Sequence, residues 1–294
     1  MRVLVAGAAG QVAQALREAP DRGLTIRCFG RPEVDLERRE TVEAAFSTFQ
    51  PDVVVNAAAY TAVDKAEAEP DAAMRINAHG AELVAELAAC AGAPIIHLST
   101  DYVFPGTKTQ PYVETDRVGP VGAYGRSKLE GERRVARANS RHLIVRTAWV
   151  HAPYGHNFVR TMLRLAQTHT EVSVVSDQHG APTYAPDIAE GLLDILVRMA
   201  SGSAVWGVYH MASAGDCVWA DVAEHVFAVS ETLGGPSAKV RRIPSADYPT
   251  PARRPASSRL DCSRLRSDYG VGLPHWRSGI ERCLGRLLEQ GRVT

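Results

Sequence analysis

The chain has 294 residues, 45% of them hydrophobic and 22% charged, proportions ordinary for globular proteins, so disorder and fibrous repeats are excluded and a large core is expected. Lys plus Arg and Asp plus Glu both number 33, a formal charge of zero, which leaves no basic excess for nucleic-acid binding. Five scattered cysteines (Cys28, Cys90, Cys217, Cys262, Cys283) form no C-x-x-C pair, which argues against a disulfide framework or a zinc site and fits a reducing compartment.

The first predicted element is a buried strand over residues 2–6, too short to span a bilayer and lacking the marks of a signal peptide, so a cytoplasmic location without a membrane partner is expected. Gly7-Ala8-Ala9-Gly10-Gln11-Val12-Ala13 follows it and opens a helix over 11–18. Such a turn lets backbone approach a dinucleotide pyrophosphate, with Gly7 and Gly10 supplying the turn and Gln11 and Val12 the start of the helix, where free N–H groups collect. Ala13 holds the third small position, which needs only to permit close helix–strand packing.

A second strand over 25–29 leads to Arg31, where a carboxylate would bind the ribose of NAD. A guanidinium there suits the 2′-phosphate of NADPH, so NADPH is the expected cofactor, with NADH as second candidate. Asp35 and Leu36 lie slightly further on, placed for the adenine edge. After a helix over 40–49, a strand over 53–56 ends in Ala57-Ala58-Ala59, small enough to line a flat cofactor. A helix over 71–91 and a strand over 94–99 bring Ser99-Thr100-Asp101 to the strand's C-terminal end, the edge where open α/β sheets hold ligands.

Tyr124 and Lys128 open the next helix, over 124–138, and precede a strand over 143–147. Their i, i+4 spacing places them on one face, and a neighbouring ammonium would favour the phenolate and bring the phenol toward working pH. Lys128 would also reach the nicotinamide ribose. The alternation predicts an α/β, Rossmann-like doubly wound parallel sheet: a dinucleotide-binding domain over 1–151 and a smaller C-terminal substrate-binding region over 152–294, with chain crossings back to the first domain allowed. No histidine spacing suggests a metal ligand set. Thr100, Tyr124 and Lys128 with a glycine turn point to hydride transfer to a carbonyl.

At this point the sequence resembles the extended short-chain dehydrogenases/reductases, and more closely the dTDP-4-dehydrorhamnose reductase family. The stretches are Gly10-Gln11-Val12, Asn56 to Glu67, Ser99 to Phe104, Tyr124 to Lys128, Arg146 to Val150, Asn157-Phe158 and Pro249 to Pro255. The resemblance implies NAD(P)H-dependent reduction of a C4 keto group, with dTDP-4-dehydro-L-rhamnose becoming dTDP-L-rhamnose and a dTDP-sugar as small-molecule partner. It implies that Thr100 and Tyr124 hold that carbonyl, that Lys128 positions the ribose, that Trp149, Asp101 and Asn157 contact the sugar nucleotide, and that Arg253 and Arg254 offer donors to its diphosphate. Some relatives bind magnesium through acidic residues of the first helix. Gln14-Ala15-Leu16 stands there, so a Mg²⁺ site is not expected, and the oligomeric state stays open. The rival readings are a reductase or epimerase of another nucleotide 4-keto sugar and, in a different class, a non-catalytic NADP-binding regulatory subunit.

Overall fold

The computed structural model describes residues 1–20 and 22–289. Five β-branched or apolar runs form the strands β1 (Arg2–Ala6), β2 (Thr25–Phe29), β3 (Val53–Asn56), β4 (Ile95–Thr100) and β5 (His142–Thr147). Between them run α1 (Gln11–Glu18), α2 (Arg39–Phe49), α3 (Val63–Ala68), α4 (Pro70–Met74), α5 (Ala81–Cys90) and α6 (Ala123–Ala138). The rest of the chain adds β6 (Val150–His151), α7 (Phe158–Ala166), β7 (Glu171–Val175), β8 (His179–Gly180), β9 (Thr183–Tyr184) and α8 (Ala185–Ala200). It closes with β10 (Gly207–His210), β11 (Cys217–Val218), α9 (Trp219–Thr232), β12 (Lys239–Ile243), α10 (Ser263–Tyr269) and α11 (Trp276–Glu289).

The main sheet is parallel throughout, in the order β10-β5-β4-β3-β1-β2. Burial on both faces explains why β1, β3, β4 and β5 are largely apolar runs, whereas the edge strand β2 keeps exposed and half-buried positions. Val3, Val5, Val53, Val55 and Ile96 face a layer built on α1 and α8, while Leu4, Ala6, Val54 and Ile95 face α2 and α5. The chain turns from β2 back across β1 to β3, so the loops after β1 and β3 part company and open a crevice at their C-terminal ends.

The predicted helix over 71–91 is interrupted. It runs as α4, then a π-helical segment Arg75–Gly80, then α5. Asn77 explains the wider turn, because its amide leaves the helix to bond both the N–H and the carbonyl of Tyr60 and the hydroxyl of Ser127.

Residues beyond 152 do not all stand apart from the sheet. β10 is its outer strand, and Ile188, Leu192 and Leu196 of α8 pack against Ala13 and Leu16 of α1 in one core. A second core joins α7, α9 and α11 to β7, which pairs in parallel with β12. No described helix is long and apolar enough to cross a membrane.

Candidate active site

A cleft of about 1170 Å³ lies at the C-terminal ends of β1, β3, β4 and β5 and runs on to the second core. Gly7 begins its floor at φ +110°, where a Cβ would come within 3.1 Å of Ala58 N, so only glycine lets the two loops approach. Gly10 flanks the N-terminus of α1, and the N–H groups of its first turn have no partner inside the helix. Ala13 is fully buried in close helix–strand packing, as expected of the third small position. Ala57, Ala58 and Ala59 line the opposite wall, anchored where Ala57 N–H donates to Ala6 O and Ala58 N–H to Asn56 Oδ1. Val34, Asp35 and Leu36 continue that end, and exposed Arg31 stands beside them after β2.

Beyond this cradle, β4 delivers Thr100 and Asp101, and α6 delivers Tyr124 and Lys128. Glu67 of α3 accepts the N–H of Ala123 at 2.7 Å, which satisfies a free donor and sets a carboxylate at the positive end of α6 beside Tyr124. The Thr100 hydroxyl donates to Asp101 Oδ1 at 3.0 Å and accepts the N–H of Tyr102, and its influence on the nearby Tyr124 phenol is to lower the pKa. Tyr102 packs edge-on against Tyr124 with ring centroids 5.6 Å apart.

The electrostatics differ from the expected tuning of phenol by ammonium. Burial is the largest influence on Tyr124 and raises its pKa, with Asp101 and Tyr102 adding to it and the Thr100 hydrogen bond opposing. Lys128 is turned the other way: its Nζ donates to Leu98 O at 2.7 Å and lies 3.4 Å from His97 Nε2. Burial brings the lysine down to about 8, against the pull of Glu132. Burial also lifts the Asp101 carboxyl to about 6, against its Ser258 and Thr100 hydrogen bonds, and lifts Tyr102 to about 12. The buried Glu132 is held by Arg146 at 2.7 and 2.9 Å and by the Ser99 hydroxyl at 2.5 Å, which ties α6 to β4 and β5 directly behind the lysine.

The far end of the cleft is aromatic. Trp149, at φ +49°, stacks at 3.7 Å on Trp219, which touches Phe158, and Gly180 leaves the space that the Trp149 ring fills. Asn157 lines the cleft, but its amide is taken up: Oδ1 caps α7 by accepting Arg160 N–H, and Nδ2 donates to Ala152 O and Gln11 Oε1. It therefore joins the glycine turn to α7 and has little left to offer a ligand. Arg254 also lines the cleft, paired at 2.9 Å with Asp64 of α3. Its neighbour Arg253 is exposed and does not line the cleft.

The sequence reasoning missed Asn56, Glu67, Asn77, His97, Tyr102, Glu132, Arg146 and Trp219. For two of these a signal was present: His97 and Arg146 interrupt apolar runs of buried strands, and a buried polar group needs a partner. Among the described residues no cluster of three or more His, Cys, Asp or Glu is placed to hold a metal ion.

A family model described as the RmlD substrate binding domain matches residues 1–289. A dTDP-4-dehydrorhamnose reductase of Sinorhizobium fredii is 48% identical over 294 residues, covering 99% of each chain. Among solved structures, a dTDP-4-dehydrorhamnose reductase from Clostridium acetobutylicum is 36% identical with a TM-score of 0.90, covering 98% of this chain and 99% of that one. A dTDP-4-dehydrorhamnose reductase from Bacillus anthracis, in complex with NADP, is 33% identical with a TM-score of 0.89, covering 97% of this chain and 99% of the other. With that coverage and a cleft built from the matching motifs, the chain belongs to the dTDP-4-dehydrorhamnose reductase family.

Proposed function

We propose that this chain reduces the C4 keto group of a dTDP-6-deoxy-hexulose, dTDP-4-dehydro-L-rhamnose first, to the corresponding alcohol with NADPH. The observation that carries the reading is the convergence of Thr100, Tyr124 and Lys128 beside the glycine cradle in one cleft. The cradle fits a dinucleotide, since a Cβ at Gly7 would occupy the space between the β1 and β3 loops and the start of α1 presents unpaired N–H groups. When bound, NADPH supplies the hydride. Gly7, Gly10, Gln11 and Val12 would take its pyrophosphate, Arg31 the 2′-phosphate, Asp35 and Leu36 the adenine end, Ala57 to Ala59 its flat side, and Lys128 the nicotinamide ribose.

With its hydroxyl turned from Asp101 to the ligand, Thr100 would hold the sugar carbonyl oxygen together with Tyr124 between two O–H donors, their bonds strengthening as charge develops there. Tyr124 then gives that oxygen its proton. A phenol kept above its ordinary pKa is fully protonated at neutral pH, which is the form a reduction requires. Asp101 and Trp149 would contact the sugar. Arg254 would meet the diphosphate by exchanging Asp64 for it, whereas Arg253 is set aside because it is outside the cleft. On this reading residues 1–151 serve the cofactor and residues from 152 onward the sugar nucleotide, with β10 and α8 returned to the sheet. A cytoplasmic location completes the proposal.

The test is NADPH consumption with dTDP-4-dehydro-L-rhamnose and with the free keto sugar. Binding of the diphosphate should contribute to turnover itself, so the free sugar should react poorly. No consumption with the nucleotide sugar would instead favour a non-catalytic cofactor-binding role.

A further inference from the structure

His97 sits in β4 without exposed surface, and nothing in the reaction just described uses it. Its neighbours Ile95 and Ile96 are core residues, so an imidazole there is unfavourable unless both ring nitrogens find partners. They do: Nδ1 lies 3.2 Å from Asn56 Nδ2, and Nε2 lies 3.4 Å from Lys128 Nζ.

The direction of these contacts follows from a third. Ala58 N–H donates to Asn56 Oδ1 at 3.2 Å, which turns the amide so that its NH₂ faces the imidazole. An NH₂ only donates, so Nδ1 must be the bare, accepting nitrogen. Burial holds the His97 pKa well below its ordinary value and keeps the ring neutral, whatever the charge on Lys128. The ring proton is therefore on Nε2, pointing at Lys128. Facing an ammonium, that N–H would set donor against donor; facing the free amine, it donates to the Nζ lone pair while Nζ still donates to Leu98 O.

We propose that His97 is a positioning residue: locked by Asn56 in its Nε2–H tautomer, it favours the free-amine form of Lys128 and ties that lysine to the Ala57–Ala58 loop of the cleft. The inference rests on the place of Lys128 in the proposed reaction.

The other ionisable groups around the lysine do not undo this. Glu132, one turn on along α6, favours the ammonium but is already bound by Arg146 from β5 and Ser99 from β4. Tyr124, one turn back, stays a neutral phenol. Asp101, after β4, acts on Tyr102 and Tyr124, and Asn56 from β3 carries no charge.

The experiment reverses the lock. In Asn56→Asp one carboxylate oxygen still accepts Ala58 N–H while the other accepts from Nδ1–H, leaving Nε2 bare to accept from the Lys128 ammonium. Long-range ¹H–¹⁵N correlations report the His97 tautomer, and the ¹³Cε shift of Lys128 reports its titration, both in the whole chain without substrate. The expected result is the Nε2–H tautomer in wild type, the Nδ1–H tautomer in Asn56→Asp, and a Lys128 midpoint raised there by about one pH unit, tenfold in proton affinity. Because the new carboxylate acts through space as well, the same substitution is made in a His97→Phe background, where the rise should be clearly smaller. An Nδ1–H tautomer in wild type, which needs no variant to fold, overturns the proposal; so does an equal rise with and without His97. Neither outcome bears on whether the chain reduces a keto sugar, and a failed turnover assay leaves the NMR result standing.

Discussion

In the proposed reaction Tyr124 hands a proton to a forming alkoxide and has to keep it until that moment, and its surroundings favour the protonated phenol. Desolvation, Asp101 and Tyr102 all disfavour the phenolate, and only the Thr100 hydrogen bond favours it. Tyr124→Phe should accordingly lower kcat by about 10²–10⁴, the range for a lost general acid, with cofactor affinity nearly unchanged in a binding titration. Near-wild-type turnover would remove Tyr124 from the role. Lys128 carries the opposite strain. Unfolded, its amine stays protonated up to about 10.5; folded, only to about 8. The penalty for burying the ammonium is thus complete below pH 8, shrinks as pH rises toward 10.5, and is absent above it. Lys128→Met should lose most activity yet unfold later at pH 7, by up to roughly 2 kcal/mol once the lost bond to Leu98 O is subtracted. Denaturant titrations at rising pH should show that gain fade. At this scale the spacing of Tyr124 and Lys128 showed in the sequence that the two share a helix face, but not the direction in which Lys128 points. That depends on His97 and Leu98, which the fold brings in from another strand.

At the scale of elements, the placement of α6 decides the site, and it rests on close approach. Gly125 and Gly131 let the helix lie against the Tyr102 and Asn77 carbonyls, where any Cβ would clash with backbone. Gly131→Ala should therefore destabilise by about 1–3 kcal/mol, although alanine is the better helix former, and should depress kcat because Lys128 shifts with the helix. An unchanged melting temperature would show that the contact is slack. The strands β1 to β5 were legible to within a residue: β1, β3, β4 and β5 because burial on both faces leaves largely apolar runs, and the edge strand β2 from the turn residues that bound it. The π-helical turn at Asn77 was not, since the amide leaves the helix for partners 17 and 50 residues away. The short pairs β6–β9 and β8–β11 left no periodic signal either, being two residues each.

Across the whole molecule, the cleft runs from the open end of the parallel sheet to the second core. Asp64 of α3 reaches the C-terminal segment twice, accepting Ala252 N–H at 3.2 Å and pairing with Arg254, so residues nearly 190 apart hold that segment over the cleft. The sequence reading allowed chain crossings back to the first region, but local pattern does not say which elements make them, and β10 and α8 are the ones that return to the sheet. The proposed partner of the cofactor's 2′-phosphate, Arg31, is exposed at the rim of the cleft. Arg31→Ala should lower kcat/KM for NADPH while sparing NADH, narrowing the ratio by about tenfold or more if the guanidinium pairs with the 2′-phosphate. An unchanged ratio would leave Arg31 an ordinary surface residue. The central claim is the identity of the reaction, and its most direct test is the product. With dTDP-4-dehydro-L-rhamnose generated in place and NADPH added, NMR should show dTDP-L-rhamnose accumulating as the cofactor is oxidised. Intact cofactor, or a product with the opposite configuration at C4, would contradict the account.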